Sequence, residues 1–152
     1  MAQLVPVFLG TAFVYAIANG RDEWHDRAVQ WQARLQRTRA ALLTTEFVLM
    51  EIGDGLANLR FRLRAVKIIE LLRSSPLVEI VPASSHLVEE ALRMYRLRDD
   101  KDWGLTDCSS FAVMKQRGIS DALTMDQHFQ QAGFRPHCDR NSRLLRQRFS
   151  AF

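Results

Sequence analysis

The stretch Leu4-Val5-Pro6-Val7-Phe8-Leu9-Gly10-Thr11 reads as one buried strand and the turn that ends it. The run from Leu4 to Leu9 is apolar without alternation, the pattern of a strand covered on both faces in a parallel sheet. Pro6 is tolerated near its start, before the hydrogen-bonded ladder is established. Gly10 closes the strand, and Thr11 stands where it caps a short helix, Phe13 to Ala18, stopped by Asn19-Gly20. A membrane span needs about 20 apolar residues. The apolar stretch from Leu4 to Ile17 falls short of that and carries no clear cleavage site, so it is read as strand and helix rather than as a signal peptide.

The same alternation continues along the chain. Asp22 is placed to cap a helix from Glu23 to Thr38, with Trp24, Ala28, Trp31 and Leu35 on one face. Ala41-Leu42-Leu43-Thr44 is a second strand. Thr45 opens a helix through Val48, Ile52, Leu56 and Leu59, and a further helix runs from Arg62 to Arg73. Val78 to Val81 is a third strand. Ser84 or Ser85 caps a helix through Leu87, Ala91, Met94 and Leu97. After the polar loop Asp99 to Gly104, Thr106 caps a helix that runs to Gln116 and stops at Gly118. Ala122-Leu123-Thr124 is a fourth strand, His128 to Gln131 a single helical turn, and Asn141 to Phe149 a basic segment with helical potential. Strands alternating with helices define the α/β class, with a mainly parallel central sheet flanked by helices. The 152 residues fit one domain spanning 1–152.

Composition narrows the function classes without selecting one. The 21 Lys and Arg against 17 Asp and Glu permit an anionic partner such as nucleic acid. Cys108 and Cys138 have no metal-type spacing and make a poor disulfide framework, which points to a reducing cytoplasm and no membrane. Cys108 reads as a small buried residue rather than a nucleophile. His25, His86, His128 and His137 show no ligand spacing, and none is assigned to a metal.

In open parallel sheets, ligands bind at the carboxyl ends of the strands. Gly10-Thr11 follows the first strand, Glu51 lies in the helix after the second, Asp107 follows Thr106 at a helix start, and Asp126 follows the fourth strand. Each has a plain structural reading: a solvated helix face for Glu51, a helix-dipole partner for Asp107, a turn or cap for Asp126. Together they describe carboxylates converging on one edge. Such a cluster repels itself unless a cation neutralises it. Hard oxygen ligands suit Mg²⁺ or Mn²⁺, whose shell a substrate phosphate completes.

Four segments carry a family resemblance. Phe8-Leu9-Gly10-Thr11-Ala12-Phe13 resembles the opening of PIN domains, and Thr44 to Glu51 their second segment. Trp103 to Phe111 is similar to the third, and Leu123 to Phe134 to the closing one. The resemblance runs from Val7 to Phe134. It implies a PIN-like fold and Mg²⁺- or Mn²⁺-dependent endoribonuclease action, as in VapC-type toxins of toxin–antitoxin pairs. It also implies a homodimer held inactive by a small antitoxin, with RNA as substrate. Carried over residue by residue, it makes Glu51, Asp107 and Asp126 the metal ligands, direct or through water, and Thr11 and Thr106 the supporting hydroxyls. Asp102 is close enough to Asp107 in sequence to be an extra acid.

The departure is Gly10, where the family pattern places Asp. An engineered inactive variant, a chance mutation and a naturally degenerate member are the readings a single sequence leaves open. The chain is then a weakened or inactive nuclease, or alternatively a non-catalytic scaffold binding RNA or a protein. A phosphatase or response-regulator-like domain also gathers acids at strand ends. It needs an acidic pair after the first strand and a phosphoacceptor Asp at a middle strand end, and neither is present. Two basic bands, Arg60-Arg62-Arg64-Lys67-Arg73 and Arg140-Arg143-Arg146-Arg148, are read as solvated faces, RNA phosphate contacts or an antitoxin surface. The apolar helical positions between Trp24 and Leu59 suggest the dimer contact.

Overall fold

A computed structural model of the chain describes residues 5–138. The order is β1 (Val7–Leu9), α1 (Thr11–Ala18), α2 (His25–Thr38), β2 (Leu42–Thr45), α3 (Glu46–Gly55), α4 (Arg62–Ser74), β3 (Val78–Val81), α5 (Ser85–Leu97), α6 (Leu105–Arg117), β4 (Asp121–Leu123), α7 (Gln127–Gln131) and β5 (Arg135–His137). The sheet has five strands in the order β3-β2-β1-β4-β5, and every neighbouring pair is parallel.

The chain moves outward from β1 through β2 to β3, then crosses to the other side of β1 to lay down β4 and β5. The order therefore reverses at β1 and β4, where Phe8 pairs with Ala122 and Leu9 with Leu123. A crevice opens beyond the carboxyl ends of strands at such a switch point. Gly10 stands at the end of β1 and Thr124 at the end of β4, so both border it.

Burial accounts for the sheet. Phe8, Leu43, Ala122 and Leu123 are fully buried on the central strands, which is why their sequence is continuous apolar rather than alternating. Against them packs α6, whose residues from Cys108 to Met114 are all buried. Phe111 is the hub, edge-on to both Trp103 and Phe129 with ring centroids 5.0 Å apart in each pair. Buried Ser109 and Ser110 donate their hydroxyls to the Thr106 carbonyl at 2.7 and 3.0 Å, so neither is left unsatisfied.

Several sequence expectations shift in detail. Thr11 is the first residue of α1 rather than its cap, which is Gly10. Thr106 likewise lies inside α6; the cap is Gly104, whose N–H donates to the Asp107 carboxylate at 3.0 Å. Asp22 accepts from the Trp24 N–H at 2.8 Å, so it orders the turn one step before α2. The helix expected to run through Leu59 ends at Gly55, and Leu59 is exposed. Trp24, Trp31 and Leu35 are partly buried against the core, so much of the apolar surplus assigned to a dimer contact is used within the chain. Strand β5 was not foreseen. It is three residues long and contains Pro136, which an edge strand tolerates. The basic segment with Arg140, Arg143, Arg146 and Arg148 lies outside the described residues.

Candidate active site

The three candidate acids border the crevice from three different elements, and local chemistry explains each placement. Thr45 ends β2 and caps α3, its hydroxyl accepting from the Val48 N–H at 3.1 Å. Glu51 therefore stands on a helix whose start is fixed to the sheet. Asp107 is at the third position of α6, where its carboxylate both caps the helix and interacts favourably with the dipole. Asp126 caps α7 by accepting from the His128 N–H at 2.9 Å, while its own N–H donates to the buried Thr124 hydroxyl at 2.9 Å. The structural readings of Asp107 and Asp126 are thus correct, and the same bonds aim both carboxylates.

Gly10, Thr11, Glu51, Thr106, Asp107 and Asp126 line one cleft of about 120 Å³, joined by Tyr15, Ser110 and Thr124 among others. Asp102 is exposed and does not line it. Asp107, Asp126 and His128 each present one ligand-type atom, all within 4.8 Å of one another. His128 Nδ1 lies 3.0 Å from Asp107 Oδ2 and 3.4 Å from Asp126 Oδ2. Burial pushes the Asp107 carboxyl above its ordinary range, and the Asp126 charge adds to that. The Gly104 N–H and His128 pull the other way without cancelling it. A carboxylate whose charge is penalised by burial and by a second carboxylate is one that a cation would relieve.

The geometry at Gly10 is equally specific. Gly10 has φ −92 and ψ 160, extended backbone open to any residue. A Cβ built there lies 3.3 Å from the Leu123 carbonyl oxygen and 3.4 Å from Thr124 Cβ. A side chain at this position fits once its neighbours yield by a few tenths of an ångström.

Tyr15, Ser110 and Thr124 are not among the sequence candidates, and His128, which its spacing assigns to no metal, stands in the cluster with Asp107 and Asp126. Thr124 and His128 flank Asp126 at two residues on either side, and their bonds to that loop were the available signal. Tyr15 had none, because its partner is distant in sequence: its hydroxyl donates to the Glu51 carbonyl at 2.7 Å. Burial, then the Glu51 and Asp54 charges, raise the Tyr15 phenol above its ordinary value. Cys108 and Cys138 are free and buried; burial raises both thiols, Cys138 to about 12, which suits inert core residues. A second cleft of about 270 Å³, along α5 and α6 by Arg93, Arg98, Trp103 and Lys115, contains none of the candidate acids.

The PIN domain family model matches residues 7–135. The chain belongs to the PIN-domain family. It is 30% identical over 129 residues to the 23S rRNA-specific endonuclease VapC20 of Mycobacterium tuberculosis, covering 84% of this chain and 95% of that protein. The crystal structure of VapC20, described as a Sarcin-Ricin loop cleaving toxin, superposes with a TM-score of 0.73 at 31% identity, covering 85% of this chain and 96% of that one. The crystal structure of FitAcB from Neisseria gonorrhoeae has a TM-score of 0.59 at 20% identity, covering 86% and 95% of the two chains, a likeness of fold. PIN-domain membership accounts for the all-parallel sheet. It also makes the cleft at the β1–β4 switch point the place to seek chemistry.

Proposed function

We propose that this PIN-domain chain is built as a Mg²⁺- or Mn²⁺-dependent endoribonuclease toxin of the VapC type, and that Gly10 leaves it weakened or inactive. The observation that carries the reading is the convergence of Glu51, Asp107 and Asp126, from three separate elements, on one cleft. Asp107 and Asp126 offer carboxylate oxygens beside the His128 ring nitrogen, and Glu51 adds a carboxylate residue to the same cleft, a mainly oxygen set that fits a hard divalent cation. Glu51, Asp107 and Asp126 would hold it, directly or through water. When bound, such an ion activates water and stabilises charge at a phosphodiester.

The chain's own groups supply the rest. His128 Nδ1 and the Gly104 N–H both hold the same Asp107 oxygen, Oδ2, at 3.0 Å. The Thr11 and Thr106 hydroxyls stand in the cleft as donors to phosphate oxygens. The amino end of α6, at Gly104 to Asp107, favours an anion in the same place. The likeness to VapC20 makes an RNA hairpin with the sarcin-ricin loop sequence the first substrate to test, and a small antitoxin and a homodimer the expected partners. Exposed Leu59, Leu63 and Leu71 are apolar surface available for such contacts. The two free cysteines accord with a cytoplasmic location, and among the described residues no helix is long and apolar enough to cross a membrane.

Gly10 supports a second reading, a PIN scaffold that binds RNA or a protein without cleaving. Cleavage assays on the parent chain, Gly10→Asp, and Gly10→Asp with Asp107→Asn separate the two. Under the nuclease reading, Gly10→Asp cuts RNA with Mn²⁺, EDTA stops it, and the double variant is inert. A Gly10→Asp chain as inert as the parent on several RNAs leaves the scaffold. Brisk, EDTA-sensitive cleavage by the parent shows instead that Gly10 does not cripple the site.

A further inference from the structure

Glu51 is the acid least tied down by its own bonds. Asp107 and Asp126 each cap a helix and are therefore held by backbone N–H groups. Glu51 lies past the middle of α3, where no cap reaches it. Its position depends on where α3 sits against α1, and Tyr15 bridges the two.

Two observations meet at Tyr15. Its hydroxyl donates to the backbone carbonyl of Glu51 itself, at 2.7 Å. Gly55, one helical turn further along α3, occupies the spot where any Cβ would run into the Tyr15 hydroxyl and its ring carbons Cζ and Cε1. Gly is a poor helix former, and α3 carries two of them close together. At Gly53 an added Cβ would meet only Ile69, at an ordinary 4.0 Å. The absence of a side chain is therefore a steric requirement at Gly55 and not at Gly53. Tyr15 also lines the cleft, one turn after Thr11 on the same helix.

We propose that Tyr15 is a positioning residue: seated in the space left by Gly55, its hydroxyl clamps the Glu51 turn of α3 to α1 and so fixes the Glu51 carboxylate in the cleft. The proposal rests on the reading of Glu51 as an acid of the active site. The hydroxyl acts on the backbone and not on the carboxylate, so Tyr15→Phe removes the clamp while keeping the ring that fills the gap.

The test uses the full chain and its Gly10→Asp variant, each with Tyr15→Phe, Gly55→Ala, Tyr15→Ala, and Tyr15→Ala with Gly55→Ala. Mn²⁺ affinity is measured by EPR titration, with Asp107→Asn as the control for site binding. Backbone NMR without metal gives the Glu51 ¹³C′ shift and the amide exchange of α3. Tyr15→Phe is expected to move the Glu51 ¹³C′ resonance upfield and to weaken Mn²⁺ by about ten-fold, the usual effect of losing a group that orients a ligand. Gly55→Ala should do the same damage when Tyr15 is present and none further once Tyr15→Ala has been made. An unmoved Glu51 ¹³C′ resonance, an unchanged Mn²⁺ affinity in Tyr15→Phe, or a Gly55→Ala effect independent of Tyr15 overturns the proposal. If no form binds Mn²⁺ at the site, the metal reading falls by itself. The clamp is then decided by the metal-free measurements, standing if Tyr15→Phe shifts Glu51 ¹³C′ and speeds α3 exchange, and failing if it does neither.

Discussion

Gly10, where the proposed reading expects Asp, has two consequences, and they separate cleanly. The backbone there is extended and donates its N–H to the Leu123 carbonyl at 3.1 Å, and β1 and β4 stay paired provided that carbonyl yields by a few tenths of an ångström to a new side chain. The proposed chemistry is another matter, because an octahedral Mg²⁺ at such a site would rely on few protein carboxylates and would lack a ligand and a charge together. Gly10→Asp is therefore expected to leave the far-UV circular dichroism unchanged while raising Mn²⁺-dependent cleavage by a factor of at least about 100, the order that losing one well-placed charge stabiliser costs. Asp107 makes a prediction of the opposite kind. Its carboxyl is raised in the folded chain, chiefly by burial, so the folded state holds its proton more tightly than the unfolded state does. Its ionisation thus costs nothing below the ordinary Asp range and subtracts stability as pH rises through the raised value. Asp107→Asn should raise the thermal midpoint at pH 7. The gain should shrink in scans at pH values below the Asp range. A midpoint lowered at pH 7 would mean that the bonds to Gly104 and His128 outweigh burial.

At the scale of elements, what was legible in the sequence was what local chemistry writes there. Thr45 reads as opening a helix and Ser84 or Ser85 as capping one; Thr45 and Ser84 are the caps, their hydroxyls accepting from Val48 and Leu87 N–H groups at 3.1 Å. The run Val78 to Val81 was placed to the residue. The first strand was drawn too long because apolar character continues through Val5 while the ladder starts only at Val7. Thr11 and Thr106 have the residue type of a cap, yet glycine one or two residues earlier holds that place in each case. Strand β5 has neither alternation nor β-branched residues, so it exists through its pairing with β4 and leaves no local trace. The candidate acids were legible through the family resemblance and their places after strands. Tyr15 and Gly55 were not, because their relation joins separate helices. Among the basic residues, Arg62 donates to the Ala57 carbonyl through Nε and Nη2, at 3.1 and 2.9 Å, and Arg64 donates to the Ala18 carbonyl. Both have structural duties beside any contact with phosphate. Removing a cap should show directly: Thr45→Val keeps the volume but loses the acceptor, for a loss of about 1 kcal/mol by urea denaturation. An unchanged midpoint would show that α3 is held by packing alone.

The whole molecule turns on α6, which carries one candidate acid at its exposed end and fills the core along the rest. Phe111, fully buried between Trp103 and Phe129, should be its most sensitive position. Phe111→Ala is expected to cost about 3–5 kcal/mol, a large share of what a domain of this size possesses, measurable by denaturant unfolding. The proposed homodimer is tested by light scattering on the eluting chain at high micromolar concentration, and a monomer there counts against it. The order of the strands has a consequence in time. The central strand β1 leaves the ribosome first, while its neighbour β4 is made only after every other long element. Domains emerge from the amino end at about 5–20 residues per second, and contacts between distant segments must wait for both. Until Asp126 has been synthesised, Thr11 and Glu51 face a cleft with one wall missing. A site that needs Thr11, Glu51 and Asp126 together is therefore closed only after β4 has been made, however early its first wall has folded.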